Sequence, residues 1–329
     1  MADVVALTGA TGFVGAAVAA RLVAAGWRVR ALVRAASDER LRTIRVDRVH
    51  GSLEDHTSLE RLVRGARVVV HCAGLVRGLS PADFERVNVD FERVNVEGVA
   101  RLARTTAREV SPPRVILVSS AAARQPELSD YAASKLRGER ALAAEAAAWT
   151  VLRPPAVYGP GDRALLPLLR WMQRGVGLVL GPRSARFSLL HVEDLADAIV
   201  RLVETDGLAP AAFELHDGSP AGYAWDDVLA AVSRLRGRVV RRAAVPAWAL
   251  RLLAHANVRV ARVRGRAPML TPGKVRELTH LDWVCDNAAI EAATGWTPRI
   301  GLDAGLRRTL GLPEGAPPDR AAPVADRGR

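Results

Sequence analysis

The sequence predicts an α/β protein built on a doubly wound parallel sheet, with a smaller, mainly helical domain toward the C-terminus. Three observations indicate this. In the first half of the chain, short valine-rich apolar segments alternate with helical segments, which is typical of parallel strands joined by crossover helices. A glycine-rich turn connects the first strand to the first helix. Beyond about residue 209 the periodicity weakens, and helices alternate with short loops.

The bulk composition is that of an ordinary globular protein. The chain has 329 residues, of which 49% are hydrophobic and 25% charged, enough for one large domain or two unequal ones. Its two cysteines, Cys72 and Cys285, give no disulfide framework and suit a reducing compartment. The start of the chain lacks the pattern of a signal peptide, and no apolar run reaches the length of a membrane span. We therefore expect a cytoplasmic protein.

The net charge of +12 comes from one stretch of the chain. Between Val228 and Arg276 there is no acidic residue, and eleven arginines with Lys274 account for the whole excess. No aromatic platform accompanies these arginines, so we expect no nucleic-acid partner. A GC-rich coding bias that favours arginine over lysine is the alternative explanation of the high isoelectric point.

The first strand and helix predict a dinucleotide site. An apolar strand at Val4–Leu7 leads into a turn with the spacing Gly-x-x-Gly-x-x-Gly, followed by a helix over 16–25 and a second strand over 27–33. Gly9 permits the tight turn, Gly12 lets the backbone approach a phosphate, and Gly15 lets the helix pack on the strand. A turn of this kind between strand and helix indicates pyrophosphate binding at the helix N-terminus.

The end of the second strand bears on the choice of cofactor. It ends at Val33-Arg34, and the nearest acid, Asp38, comes four residues later. An acid would bind a free ribose 2′-hydroxyl, whereas an arginine pairs with a 2′-phosphate. Arg34 therefore predicts a preference for NADP, with NAD as the alternative. The competing interpretation is an ordinary surface arginine in an arginine-rich chain.

Two further strands carry candidate contacts at their carboxyl ends. The strand at 45–50 is followed by 51–55, which would border the adenine, and the strand at 67–74 ends in small residues. His71 and Cys72 invite a catalytic or metal-binding interpretation, but no second His/Cys cluster accompanies them. We predict packing at the strand end and no metal site.

A heptad, Asp83–Val89, is repeated letter for letter as Asp90–Val96. Seven residues are nearly two helical turns, so the duplication keeps the apolar face in phase to within about 20°. We predict an ordinary buried helix lengthened by about two turns. The second copy continues into Glu97-Gly98, so Asn95 rather than Asn88 is the candidate site residue.

The candidate catalytic residues follow. A strand over 114–120 ends in two serines, and the helix after Ser129-Asp130 carries Tyr131 and Lys135 one turn apart on one face. A nearby ammonium lowers the pKa of a phenol, and such a tyrosine can exchange a proton with a carbinol. The chain has only two lysines and uses arginine for its other basic side chains, so a lysine at this position is unusual for this sequence. The alternative is a solvated helix turn.

The second half of the chain contains a loop that could cover the cofactor, and its pattern suggests how the chain divides into regions. A strand over 150–153 precedes a Pro/Gly-rich loop over 154–162, and this loop is placed to cover a cofactor. A later strand from Arg186 contains His191, which we predict to have a structural role. We predict a dinucleotide-binding core over 1–175, a mixed region over 176–315 that adds late sheet strands and the substrate domain, and a disordered tail over 316–329.

These motifs together resemble the extended short-chain dehydrogenase/reductase family, in its NAD-dependent epimerase/dehydratase branch. The similarity runs from about residue 4 to residue 312 in the family's order. The matching segments are Thr8–Gly15, His71–Gly74, Asn95–Gly98, Val118–Ala121, Tyr131–Lys135, Leu152–Gly161, His191–Ala196 and Gly295–Pro298.

The resemblance implies a Rossmann fold and hydride transfer between a nicotinamide and a secondary alcohol or ketone. Tyr131 would be the acid/base, Lys135 would hold the nicotinamide ribose and tune the tyrosine, and Ser120 would orient the substrate oxygen. The cofactor contacts it implies are Thr8, Gly9, Thr11, Gly12, Phe13, Val14, Gly15, Arg34, Ser52, Leu53, Cys72, Ala73, Gly74, Asn95, Ser119, Lys135, Pro154, Pro155 and Val157.

We therefore predict an NAD(P)-dependent oxidoreductase with a small-molecule substrate. A nucleotide-sugar epimerase or dehydratase is the alternative within this class. The alternative from another class is a non-catalytic subunit that binds a dinucleotide and has a structural or regulatory role. As the oligomeric state we consider a homodimer.

The basic stretch contains one more predicted element, a helix over 247–266. Arg251, His255, Arg259, Arg262 and Arg266 fall on one stripe, with Trp248, Leu252, Leu253 and Val263 over much of the remaining surface. We predict a lid helix over the substrate pocket, with its apolar side inward and its arginines in water. Contact with the inner face of a membrane is an additional hypothesis for this helix.

Overall fold

The computed structural model describes residues 3–34, 39–75, 91–264 and 270–313, and the side chains of residues 39 and 262–264 lie outside this description. The predicted tail, 316–329, and the first copy of the heptad also lie outside it. Within the described residues the centre of the fold is a seven-stranded sheet in which all strands pair in parallel. This confirms the predicted doubly wound α/β fold.

The strands follow one another along the chain at short intervals. They are β1 (Val4–Thr8), β2 (Arg28–Val33), β3 (Asp47–His50), β4 (Val68–His71), β5 (Arg114–Val118), β6 (Trp149–Arg153), β7 (Ala156–Tyr158), β8 (Val176–Val179), β9 (Arg186–Phe187), β10 (Leu189–His191), β11 (Ala211–Glu214), β12 (Arg241–Ala244) and β13 (Asp282–Trp283). The main sheet has the order β3-β2-β1-β4-β5-β6-β11. The direction of winding reverses between β1 and β4, which is where such sheets bind ligands.

The α-helices of the described residues cover both faces of this sheet and continue beyond it. They are α1 (Phe13–Ala24), α2 (His56–Val63), α3 (Gly98–Ala107), α4 (Asp130–Glu145), α5 (Leu166–Gln173), α6 (Val192–Glu204), α7 (Trp225–Arg236), α8 (Ala247–Arg264), α9 (Pro272–Thr279), α10 (Ala288–Thr294) and α11 (Leu302–Leu310). The helix predicted from residue 16 thus begins three residues earlier, directly after Gly12.

Alternating side chains of each central strand enter two separate cores. In β1, Val5 and Leu7 pack with α1 and α6, whereas Ala6 packs on the opposite face with α2, α3 and α4. Because both faces are covered, the strands are apolar throughout, which is why the sequence shows valine runs instead of alternation. A third core around Tyr158 and Met172 joins α5, α7 and α11.

The second copy of the heptad differs from the prediction. Phe91 is buried as expected, but Glu92–Glu97 forms π-helical turns that lead directly into α3, so the predicted ordinary α-helix is wrong here. The physical reason lies in the packing of Asn95. Its carbonyl oxygen lies only 2.2 Å from where a Cβ on Gly138 of α4 would be. π-Bulges of this kind recur at functional sites.

Helix α8 forms where predicted, but its buried face is not the predicted one. Leu250, Ala254 and Ala261 point inward, and the first two pack in one cluster with Val275 of α9. The predicted inward-facing side chains Trp248 and Leu252 are 66% and 63% exposed. The expectation of a lid with these apolar side chains inward is therefore wrong. The small Ala254 allows the close approach of α9 that a tryptophan or leucine would prevent.

Candidate active site

Helix α4 begins at a defined cap, which fixes the position of the candidate catalytic residues. The Ser129 hydroxyl accepts a hydrogen bond from the backbone N–H of Ala132 at 3.0 Å. Tyr131 and Lys135 therefore lie in the first two turns, at the carboxyl edge of the sheet. Ser120 follows β5 at the same edge and accepts a hydrogen bond from the N–H of Ala122 at 3.2 Å.

Tyr131 is half-buried and lies next to Ser120. Burial raises the pKa of its phenol to about 12, although a hydrogen bond with Ser120 acts in the opposite direction, and the negative charge of Glu277 adds to the increase. The expected lowering of the tyrosine pKa by Lys135 is therefore wrong: Ser120, not Lys135, is the group that lowers this pKa, and burial, which penalises the phenolate, acts more strongly. Tyr131 is consequently protonated at neutral pH and is suited to donating a proton.

Lys135 is buried beneath the tyrosine. Its Nζ donates a hydrogen bond to the carbonyl oxygen of Val118 at 3.1 Å, which ties α4 to the end of β5. Burial lowers the pKa of its ammonium to about 8, while the carboxylate of Glu139 favours the charged form. Its Nζ also lies 3.1 Å from where a Cβ on Gly74 would be, so the ammonium packs closely against the loop after β4.

Glu139 anchors a buried network that the sequence analysis missed. Its carboxylate accepts a 2.5 Å hydrogen bond from the Ser119 hydroxyl and forms an ion pair with Arg153, also at 2.5 Å. Glu139 lies one turn after Lys135, so the spacing Tyr131, Lys135, Glu139 was the signal available in the sequence. Ser119, expected to contact the cofactor, uses its hydroxyl in this network.

Asn95 connects the π-helical turns to the catalytic helix. Its side chain accepts from the N–H of Leu75 at 2.8 Å and donates to the Leu75 carbonyl at 3.1 Å and to the Ser134 hydroxyl at 2.9 Å. The residue is buried, so these bonds fix the loop after β4 against α4. Asn95 therefore holds the loop that contains Gly74.

The glycine turn has the shape that a dinucleotide requires. Gly9 has φ of +72°, and a Cβ on it would lie 2.5 Å from the backbone nitrogen of Ala73. A Cβ on Gly15 would lie 2.1 Å from the Gly9 carbonyl oxygen. Gly12 has no side chain with which to cap α1, so the N–H groups of its first turn carry no side-chain cap. Thr11, Phe13 and Val14 lie in this same turn, and these residues fit a pyrophosphate at the helix N-terminus.

Thr8, His71 and the end of β4 form a buried polar contact beneath this turn. The Thr8 hydroxyl lies 2.7 Å from Nδ1 of His71 and 3.4 Å from the backbone nitrogen of Ala73. Burial lowers the pKa of His71 to about 3 and raises that of the Cys72 thiol to about 12. Burial at the strand end therefore keeps His71 neutral and Cys72 in its thiol form.

The candidate adenine and ribose contacts lie at the end of β2. The N–H of Gly51 donates to the Val33 carbonyl at 3.1 Å, which brings Ser52 close to Arg34. The Arg34 side chain is exposed. Leu53 is half-buried against Gly98 at the start of α3.

The Pro/Gly-rich loop runs along the same edge of the sheet. The carbonyl of Pro154 accepts from the N–H of Ala121 at 2.9 Å, directly after Ser120. Pro155 follows, and Val157 lies in β7, which pairs with β10. The predicted cofactor residues from β1, β4, β5 and β6 are thus brought together at one edge.

Helix α9 packs on the start of α4, which the sequence did not reveal. The Ser129 hydroxyl donates a hydrogen bond to the carboxylate of Glu277, which also accepts from Lys274 Nζ at 2.8 Å. Arg276 donates to the Leu128 carbonyl at 2.7 Å. The chain's second lysine is thus bound to the residue whose charge acts on Tyr131.

Metal binding has no support in the described part of the chain. No group of three or more His, Cys, Asp or Glu side chains there is arranged to hold an ion. His191 begins α6, where its Nδ1 accepts from the N–H of Glu193 at 3.4 Å, in agreement with its predicted structural role. No helix of the described residues has both the length and the hydropathy to span a bilayer.

Comparison with known proteins adds a family and relatives. A family model described as NAD dependent epimerase/dehydratase family matches residues 5–215. The chain is 37% identical over 309 residues to a ceramide reductase of Caulobacter vibrioides, covering 93% of each protein. It is 27% identical to a 2-alkyl-3-oxoalkanoate reductase of Stenotrophomonas maltophilia, covering 92% of this chain and 97% of that one. The structure of MoeE5 in complex with UDP-glucose and NAD superposes with a TM-score of 0.70 at 22% identity, over 94% of this chain and 97% of that one, a likeness of fold.

Proposed function

Because the chain belongs to the NAD dependent epimerase/dehydratase family, we propose that it is a reductase that converts a keto group on a ceramide-type lipid into an alcohol. The observation that carries the proposal is the arrangement of Tyr131 beside Ser120, with Lys135 buried one turn away. Burial raises the pKa of Tyr131 and keeps its phenol protonated, which is the form that donates a proton during reduction of a carbonyl.

Each of the three residues has a distinct task. Ser120 donates a hydrogen bond to the substrate oxygen and so places the carbonyl carbon. The bound nicotinamide supplies the hydride. Tyr131 then donates its proton to the oxygen on which negative charge develops. Lys135 holds the nicotinamide ribose and, as a cation, stabilises the tyrosinate that remains.

The substrate class is supported by the relatives. The ceramide reductase matches over nearly the whole of both chains, at an identity above that of the other relatives compared. The Stenotrophomonas protein is named as a reductase of a keto group beside an alkyl chain. A keto group on an apolar chain is therefore the chemistry that best accounts for both.

For the cofactor, we propose NADP in preference to NAD. Nicotinamide dependence belongs to the family, whereas the choice rests on Arg34 at the end of β2, where an acid would bind the free ribose. The exposed guanidinium can pair with a 2′-phosphate.

The test is an assay of nicotinamide oxidation with a keto analogue of ceramide in detergent. Because epimerisation consumes no nicotinamide overall, UDP-glucose is tested in parallel as the competing substrate by measuring its conversion to the epimeric nucleotide sugar. We expect turnover of the keto lipid by the wild type. Tyr131→Phe should lower the rate by about 10²–10⁴-fold and retain cofactor binding, because it removes only the proton donor. Turnover of the nucleotide sugar alone would support the epimerase alternative, and cofactor binding without turnover of either would support the non-catalytic subunit.

A further inference from the structure

Helix α8 exposes large apolar side chains at its surface. Trp248, Leu252 and Leu253 are 66%, 63% and 56% exposed, and Val260 is 46% exposed. The inner side of the helix is already occupied, because Leu250 and Ala254 pack with Val275 and the Asn257 amide donates to the Leu270 carbonyl at 3.1 Å. The outward side chains are therefore additional to those that hold the helix in the fold.

Positive charge lies among these apolar side chains. At about 100° per residue, Trp248, Leu252 and Arg259 fall within about 40° of one another on the helix. Arg251 and His255 lie beside them, and both arginines are exposed. The stretch from Val228 to Arg276 holds no acidic residue that could neutralise them.

We propose that this face of α8 docks on an anionic lipid bilayer, with Trp248 and Leu252 inserted at the interface and Arg251 and Arg259 on the headgroups. An amphipathic helix with tryptophan, leucine and arginine on one exposed face suits this position, since the aromatic ring prefers the interface and each arginine adds to binding. A second copy of this chain fits less well, because pairing two such faces would bring uncompensated arginines together.

The docking face is close to the active site. Helix α8 packs on α9, and α9 contacts the first turn of α4 through Glu277 and Arg276. Glu277 also acts on Tyr131. A bilayer at α8 would therefore lie two helix layers from the proton donor. The docking proposal extends to the substrate, which would enter the active site from the bilayer. This extension rests on the proposed function.

The binding test uses the full chain and sedimentation with vesicles of phosphatidylcholine, with or without phosphatidylglycerol. We expect binding to the anionic vesicles that weakens with salt. Trp248→Ser combined with Leu252→Ser should lower the affinity by at least about tenfold, because both side chains leave the apolar region. Trp171→Ser is the matched control, since Trp171 is 50% exposed on a different helix.

The charge is tested separately. Arg251→Gln and Arg259→Gln should each weaken binding by about fivefold, whereas Arg61→Gln and Arg64→Gln, exposed on and after α2, should have no effect. Brominated lipids should quench the fluorescence of the wild type more than that of Trp248→Phe. Absence of binding to anionic vesicles, or binding that these variants leave intact, would overturn the proposal. Self-association without lipid that the same variants abolish would assign the face to a second copy.

Entry of the substrate is tested by two forms of the keto lipid. The Trp248→Ser/Leu252→Ser variant should turn over vesicle-embedded substrate about tenfold more slowly than the wild type and a soluble short-chain analogue at the same rate. Equal losses on both forms would overturn entry from the bilayer. If the wild type binds vesicles but reduces neither form, the proposed function fails while the docking stands.

Discussion

At the scale of single residues, the carboxylate of Glu139 favours the protonated, charged form of Lys135. Burial alone pushes the ammonium toward its neutral form, and Glu139 is the neighbour that opposes this most strongly. Its own charge is compensated by Arg153 and by the Ser119 hydroxyl. The network therefore allows a buried lysine to remain a cation near neutral pH.

The effect of Glu139 should appear in the pH dependence of cofactor binding. The affinity of the wild type should fall as the pH rises through about 8, because the pKa of Lys135 lies there. Glu139→Gln should move this decline to lower pH, measured by titration of the reduced cofactor. Glu145→Gln, on the same helix but paired with Arg104, is the control. Because an unpaired Arg153 is destabilising, Glu139→Gln/Arg153→Met is a second variant, and an unchanged midpoint in both would contradict the assignment.

Arg34 should set the preference between the two dinucleotides. Arg34→Asp replaces an attraction to the 2′-phosphate by a repulsion and provides an acceptor for a free hydroxyl. We expect the affinity for NADP to fall by about tenfold to hundredfold while that for NAD rises. Arg42→Asp makes the same change of charge at another exposed site. Equal affinities of the wild type for NADP and NAD would refute the assignment.

Some residue roles could be predicted from the sequence and others could not. The spacing of Tyr131 and Lys135 suffices to place them on one face of α4. The high pKa of Tyr131 could not be predicted, because burial and the charge of Glu277 come from chain segments that meet only in the fold. The contact between Ser129 and Glu277 joins residues 148 positions apart, which no local pattern encodes.

At the level of elements, the catalytic helix depends on close packing against the π-helical turns. The Gly138 position has no room for a methyl group, since a Cβ would lie 2.2 Å from the Asn95 carbonyl oxygen. Asn95 and Ser134 then connect the two elements by a hydrogen bond.

Gly138→Ala should lower the stability of the protein despite the better helix propensity of alanine. Overpacking costs about 1–3 kcal/mol, against a gain of about 1 kcal/mol from propensity. We expect a lower melting temperature and weaker cofactor binding. Gly301→Ala is the control, because nothing lies within 4 Å of its Cβ position, and it should cost less than about 1 kcal/mol. Equal stability of the Gly138→Ala protein and the wild type would show that the segment around Asn95 can shift to make room for the methyl group.

The elements also show where local patterns mislead. The heptad repeat indicates helix correctly, but nothing in its period distinguishes α-helical from π-helical turns, which the packing of Asn95 decides. In α8 the large apolar side chains were expected inside, yet the inward positions are taken by Leu250 and two alanines. The contact with α9 is made by Leu250 and Ala254, and this choice of face is visible only once α9 is in place.

At the scale of the whole molecule, the stability should depend on pH because the carboxyl group of Asp217 is buried. Asp217 is 6% exposed, and Tyr223 donates its hydroxyl to both carboxylate oxygens at 3.1 and 3.0 Å. Burial still raises the pKa of Asp217 to about 6 from 3.8. The native state therefore binds this proton more tightly than the unfolded chain between about pH 4 and pH 6, and stability falls as the pH rises through that window.

Asp217→Asn should remove this contribution. Relative to the wild type, the variant should gain about 2–3 kcal/mol in the free energy of unfolding on going from about pH 4 to pH 7. Denaturant titrations at the two pH values measure the difference, with the exposed Asp303→Asn as control. A constant difference between Asp217→Asn and the wild type would contradict the shifted pKa.

The architecture as a whole was the most predictable feature. Valine runs, crossover helices and the glycine turn determine a parallel sheet with two covered faces, and the structure agrees. The position of β11 beside β6 could not be predicted, because β11 is short, lies at the start of the weakly periodic region and pairs with a strand about sixty residues earlier.

The distribution of the two lysines has a practical consequence for labelling. Lys135 is buried, whereas Lys274 lies on α9 with a side chain 45% exposed. An amine-reactive dye should therefore attach at Lys274, apart from the amino terminus, and leave the arginine-rich remainder of the surface unmodified. The dye would then report on the helix that connects α8 to the start of α4, without any engineered attachment site.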